Sequence, residues 1–130
     1  MCRWAQKYHL QVWPDIHTAP GSQNGFDNSG QAFAGVTCTD HHSENVERSL
    51  RVIRDVCHGI VKEGYQDDVT GFDLLNEPFK DCNRTVYEEF INTGRDIVRA
   101  ILQNDLASIH LRQRCVLGRN VQQWALVVEL

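Results

Sequence analysis

The chain has 130 residues, with 13 Lys plus Arg against 17 Asp plus Glu, a formal net charge of −4. That balance lacks the basic footprint of a nucleic-acid binder, and no apolar run approaches the roughly 20 residues of a membrane-spanning helix. A hydrophobic content of 42% argues for a packed core rather than intrinsic disorder.

The first eight residues lack the apolar stretch of a secretion leader and read as the end of a helix. Residues 10–17 alternate loosely around Val12, Trp13 and Ile16, which predicts a short strand. Pro14 interrupts it, because proline has no N–H to give to a ladder. Residues 18–35 are rich in Gly, Ser, Asn and Pro and contain the turn pair Asn24-Gly25. They predict a long loop, the kind of segment that carries function in compact domains or lacks order.

In residues 44–62, Val46, Leu50, Ile53, Val56, Cys57, Ile60 and Val61 recur at three- and four-residue steps, predicting one buried helical stripe that Gly64 ends. A second strand is expected at 69–76, with Phe72, Leu74 and Leu75. Thr85 and Glu88 have the spacing of a capping box. The helix they open carries Val86, Phe90, Ile97, Val98, Ile101 and Leu102 to about Asn104. Beyond it lie two short apolar patches, 109–111 and 125–128, and the second is a candidate strand. Alternating strands and helices predict a parallel α/β sheet, whose function sits beyond the carboxyl ends of its strands.

The five cysteines, Cys2, Cys38, Cys57, Cys82 and Cys115, form no Cys-x-x-Cys pair and read as small hydrophobes rather than as zinc ligands or a disulfide scaffold. Cys38, Asp40, His41, His42 and Glu44 match no zinc spacing and read as a solvated loop entering the helix. No metal and no cofactor are expected.

The chemistry-bearing groups fall at the strand ends. His17 closes the first strand, and Asn76-Glu77-Pro78 closes the second. A carboxyl group there can serve as a general acid, and a planar amide beside it can hold a substrate hydroxyl. A polar turn at Asn76–Pro78 and a hydrogen-bonded core role for His17 are the structural alternatives. Asn24-Gly25 reads as a turn, and Asp15, Asp27 and Asp73 read as structural.

The stretch Gly71-Phe72-Asp73-Leu74-Leu75-Asn76-Glu77-Pro78 resembles the acid/base strand of glycoside hydrolase family 5. Asp15-Ile16-His17-Thr18-Ala19-Pro20-Gly21-Ser22-Gln23-Asn24-Gly25-Phe26-Asp27-Asn28-Ser29-Gly30 is similar to the third-strand loop of the fungal exo-β-1,3-glucanases of that family. The resemblance covers about residues 1–104 and fades after that; Pro14 departs from it, since relatives carry an aliphatic residue there.

The resemblance implies roles by position. Glu77 matches the acid/base, Asn76 the amide that binds the sugar 2-hydroxyl, and His17 a pocket-lining histidine. Phe26 matches an aromatic at the entrance, and Asn28 a loop residue on the sugar. It implies an incomplete (β/α)8 TIM barrel, about strands 3 to 5 with their helices over 1–105, with 106–130 as a divergent or truncated tail. It further implies a retaining hydrolase of β-1,3-glucosidic bonds, whose second carboxylate is expected to be missing here. Glu129 lacks the flanking residues of that nucleophile, and the chain alone is expected to be unstable and inactive. A non-catalytic β-glucan-binding pseudoenzyme is the alternative. The expected partner is a β-glucan oligosaccharide or polysaccharide, with no nucleic acid or membrane, bound by a monomer whose parent enzyme is extracellular or in the cell wall. The sequon Asn83-Arg84-Thr85 is weak support for secretion.

Overall fold

The computed structural model describes residues 2–26, 29, 44–78 and 83–103, and the backbone of 108–110. Helix α1 spans Cys2–Tyr8, α2 Glu44–Lys62 and α3 Arg84–Leu102. Strand β1 is Gly71–Asp73 and β2 is Ser108–His110, with a short 3-10 turn at Gln66–Asp68 ahead of β1.

β1 and β2 pair in parallel, Gly71 opposite Ser108 and Asp73 opposite His110. Residues 12–16 also run parallel to the β1 segment, through bridges at Val12–Val69 and Asp15–Asp73. With α2 and α3 as the crossovers, this is the parallel α/β arrangement expected from the alternation of elements.

The expected strand at 10–17 is reduced to those two bridges, and Pro14 gives the reason. Its carbonyl accepts from Asp73 N at 2.8 Å, but it has no N–H to donate, and the pairing shifts by one residue between the bridges. The extra residue lies in the 69–73 segment, a bulge opposite the proline. β1 is likewise shorter than the expected 69–76, because the chain bends after Asp73 and Glu77 takes a left-handed φ of 43°.

The core lies between the sheet and the two long helices. Val46, Leu50, Ile53, Cys57 and Ile60 of α2 and Val86, Phe90, Val98 and Leu102 of α3 are buried, as are Phe72, Leu74 and Leu75. Val61, expected in the α2 stripe, is instead exposed. It stands at the edge of the buried stripe, one residue before the helix ends at Lys62. Gly94 lets α3 approach closely, since a Cβ there would meet Leu74 Cδ2 at 3.2 Å and Ile53 Cδ1 at 3.4 Å.

The cap of α3 also differs from expectation. Asn83 is the N-cap, its Oδ1 accepting from Thr85 N at 3.1 Å and Val86 N at 3.3 Å. Glu88 does not reach back to Thr85 in a capping box; it pairs with Arg84 at 2.6 Å, one turn away. Asparagine is among the strongest N-cap residues, and it stands two residues nearer the helix start than Thr85.

Of the remaining sequence expectations, Cys57 is buried and Cys2 half-buried. Cys38, Asp40, His41, His42, Cys82, Cys115 and the 125–128 patch lie outside the described residues.

Candidate active site

The carboxyl ends of the two parallel segments carry the polar groups. Ile16 N donates to Asp73 O at 3.1 Å, and Asn76 N donates to Ile16 O at 3.1 Å. These bonds place His17 beside Asn76, with His17 Nε2 3.5 Å from Asn76 Nδ2. Asn76 is buried, His17 and Glu77 are half-buried.

His17 is oriented from below. Asp15, two residues earlier and so on the same side of the extended chain, accepts from His17 Nδ1 at 2.8 Å. That hydrogen bond fixes the proton on Nδ1 and leaves Nε2, the nitrogen facing Asn76, as an acceptor.

The loop after His17 folds back over the same end. Gln23 is completely buried. Its Nε2 donates to His17 O at 2.8 Å and to Asn76 O at 2.9 Å, while its Oε1 accepts from Ala19 N at 3.1 Å. Asn24 Nδ2 donates to Glu77 O at 2.9 Å, and its Oδ1 accepts from Phe26 N at 2.9 Å.

A second chain of bonds closes the loop on itself. Gly25 N donates to Ser22 Oγ at 2.7 Å, and Ser29 Oγ donates to Phe26 O at 2.7 Å, so Ser22 is the donor in the 2.5 Å contact between the two hydroxyls. The two hydroxyls each accept one bond and donate one, a consistent direction that rigidifies the segment. Phe26 stands at the rim, 55% exposed.

Glu77 is a non-glycine residue at positive φ, a conformation that costs of order 1–3 kcal/mol and persists only where its surroundings hold it. Such strain concentrates at functional positions.

Burial and charge mark two further groups. Burial pushes the Cys57 thiol up to about 12, which leaves it an inert core group. Tyr87, whose buried hydroxyl has no hydrogen-bond partner among the described residues, is raised by burial and then by the Asp73 charge. Among the described residues no cluster of His, Cys, Asp and Glu could hold a metal ion, and no helix is long and apolar enough to cross a membrane.

The expected site residues His17, Asn76 and Glu77 therefore meet at one end of the sheet, with Phe26 on the loop above it. Asn28 lies outside the described residues. Three contributors were not expected at the site: Asp15, read as structural, Asn24, read as a turn residue, and Gln23, for which there was no expectation. The signal for Asp15 was its two-residue spacing from His17. Nothing local marked Gln23 and Asn24, whose partners lie 53 residues away.

No protein-family profile matches the chain. Curated proteins do. Glucan 1,3-beta-glucosidase 2 of Saccharomyces cerevisiae is 39% identical over 94 residues, 67% of this chain and 17% of that protein. The glucan 1,3-beta-glucosidase of Yarrowia lipolytica is 35% identical over 112 residues, 82% of this chain and 25% of that protein. Over its matched residues the chain is similar to the fungal glucan 1,3-beta-glucosidases. A further member, glucan 1,3-beta-glucosidase 2 of Wickerhamomyces anomalus, is 43% identical over 75 residues, 58% of this chain. The chain spans about a sixth to a quarter of the length of these glucosidases.

Proposed function

We propose that the chain forms part of a retaining glycoside hydrolase that cleaves β-1,3-glucosidic bonds in glucans, with Glu77 as its acid/base. On this reading the Glu77 carboxyl protonates the departing glycosidic oxygen, then as a carboxylate takes a proton from the attacking water. Asn76 holds the sugar 2-hydroxyl, where hydrogen bonds strengthen as the oxocarbenium-like transition state forms. His17 lines the same pocket, and Phe26 and Asn28 meet the next glucose from the loop. The segments belong to an incomplete (β/α)8 barrel. The nucleophile is a second carboxylate that this reading does not find in the chain, so the 130 residues alone are inactive. The parent protein acts on cell-wall or extracellular glucan.

The observation that carries the reading is the convergence of His17, Asn76 and the left-handed Glu77 at the carboxyl ends of two parallel segments. Active sites of α/β barrels are built at that end.

A chimera tests it, with this chain replacing the matched segment of the Yarrowia lipolytica glucosidase. The chimera is expected to release glucose from laminarin, and Glu77→Gln to slow this by about 10²–10⁴-fold. The same variant should keep most of its glycosylation step on 2,4-dinitrophenyl β-glucoside, whose leaving group needs no proton. Undiminished laminarin cleavage by Glu77→Gln contradicts the assignment.

A further inference from the structure

Gln23 and Asn24 make an unusual use of their amide groups. Both side chains are buried, and both donate to main-chain oxygens of the consecutive residues Asn76 and Glu77. Gln23 ties the same point to His17 O. The acceptor atom of each amide is occupied within its own loop, by Ala19 N and Phe26 N. Neither group therefore faces outward for a ligand; each is spent on backbone.

The two bonds fall where the backbone most needs holding. Asn76 N is already tied to Ile16 O, and Glu77 sits at φ 43°. A left-handed glutamate returns to the ordinary regions of backbone space unless its peptide groups are restrained on the outside. A side-chain amide that donates to its carbonyl oxygen supplies that restraint, and amide donors cannot be replaced by carboxylates at the same positions.

We propose that Gln23 and Asn24 are positioning residues, a two-amide clamp that sets the Glu77 carboxyl and the Asn76 amide by fixing the two peptide groups on either side of Glu77. The functional meaning of the clamp rests on Glu77 being the acid/base; its geometry does not.

The test uses the labelled 130-residue chain. Asn24→Asp keeps the acceptor for Phe26 N and loses only the donor to Glu77 O, and Asn24→Ala loses the donor without adding charge. In both, the strong intraresidue HN–Hα cross-peak that marks a positive φ at Glu77 is expected to fall roughly twofold or more. The amides of Phe72 and Leu74 should stay dispersed. Gln23→Glu is expected to move the Asn76 and His17 resonances together. A Glu77 cross-peak unchanged in both Asn24 variants overturns the clamp. Laminarin cleavage by the Yarrowia lipolytica chimera separates the two ideas. A clamp that responds as expected beside a chimera whose cleavage is undiminished by Glu77→Gln leaves the positioning intact and removes the glycosidase reading. A chimera slowed by Glu77→Gln, beside a Glu77 cross-peak unchanged on Asn24 substitution, does the reverse.

Discussion

His17 donates from Nδ1 to the buried Asp15 carboxylate at 2.8 Å, while its Nε2 lies 3.5 Å from Asn76 Nδ2. The carboxylate dictates which nitrogen carries the proton, and so which one meets the amide. Imidazole free in water favours the Nε2–H form. Long-range ¹H–¹⁵N correlation is expected to show His17 as Nδ1–H in the neutral chain and as mainly Nε2–H in Asp15→Leu. An Nε2–H form in the unsubstituted chain contradicts the arrangement.

Two glycines should respond to alanine with opposite signs. A Cβ at Gly71 would fall inside the Trp13 indole, which is itself held by a 3.0 Å bond from Nε1 to Thr70 Oγ1. Gly71→Ala is expected to destabilise by about 1–3 kcal/mol, as overpacking does. Gly59 lies in the last turn of α2 with nothing within 4 Å of its added Cβ. Gly59→Ala should therefore stabilise by up to about 1 kcal/mol. Urea midpoints of the two variants measure both.

The α3 cap gives a third test. Asn83→Ala removes the acceptor for Thr85 N and Val86 N and should cost about 1 kcal/mol. Glu88→Gln removes only an exposed pair with Arg84 and should stay within about 0.5 kcal/mol. A larger loss from Glu88→Gln than from Asn83→Ala would restore the capping box.

How much the sequence disclosed can be judged residue by residue. Three-and-four spacing located α2 at its observed bounds, because a long amphipathic repeat is self-consistent without knowing its partner. The polar groups at 17 and 76–77 stand out in the sequence because predicted strand ends and a family likeness coincide there. The one-residue shift at Pro14 was only half legible: the missing N–H is visible in sequence, but the partner's register is not. β2 was harder still. Residues 109–111 were noted as apolar, yet a three-residue strand is defined by its neighbour, here β1, rather than by its own pattern. The amides of Gln23 and Asn24 look like ordinary loop residues until the fold supplies carbonyls from 53 positions away.

Cys57 offers a pH-dependent prediction. Burial raises its thiol from 9.0 to about 12, so the folded chain holds the proton more tightly than the unfolded one. The associated stability is fully present below pH 9 and is lost as pH rises toward 12. Urea midpoints should fall across that window, less steeply in Cys57→Ala after allowing for its lower baseline. Iodoacetamide at pH 8 should modify the half-buried Cys2 and spare Cys57 until the chain unfolds.

On the proposed function, the paired ends of residues 12–17 and 69–77 form a sugar-binding mouth holding Glu77. Titrating the ¹⁵N-labelled chain with laminaribiose and following its amide and imidazole resonances tests this most directly. The expected result is a saturable shift confined to His17, Gly25, Phe26, Asn76 and Glu77, with the outer face of α2 unmoved. A chain whose resonances do not respond, or respond only along α2 and α3, would contradict it.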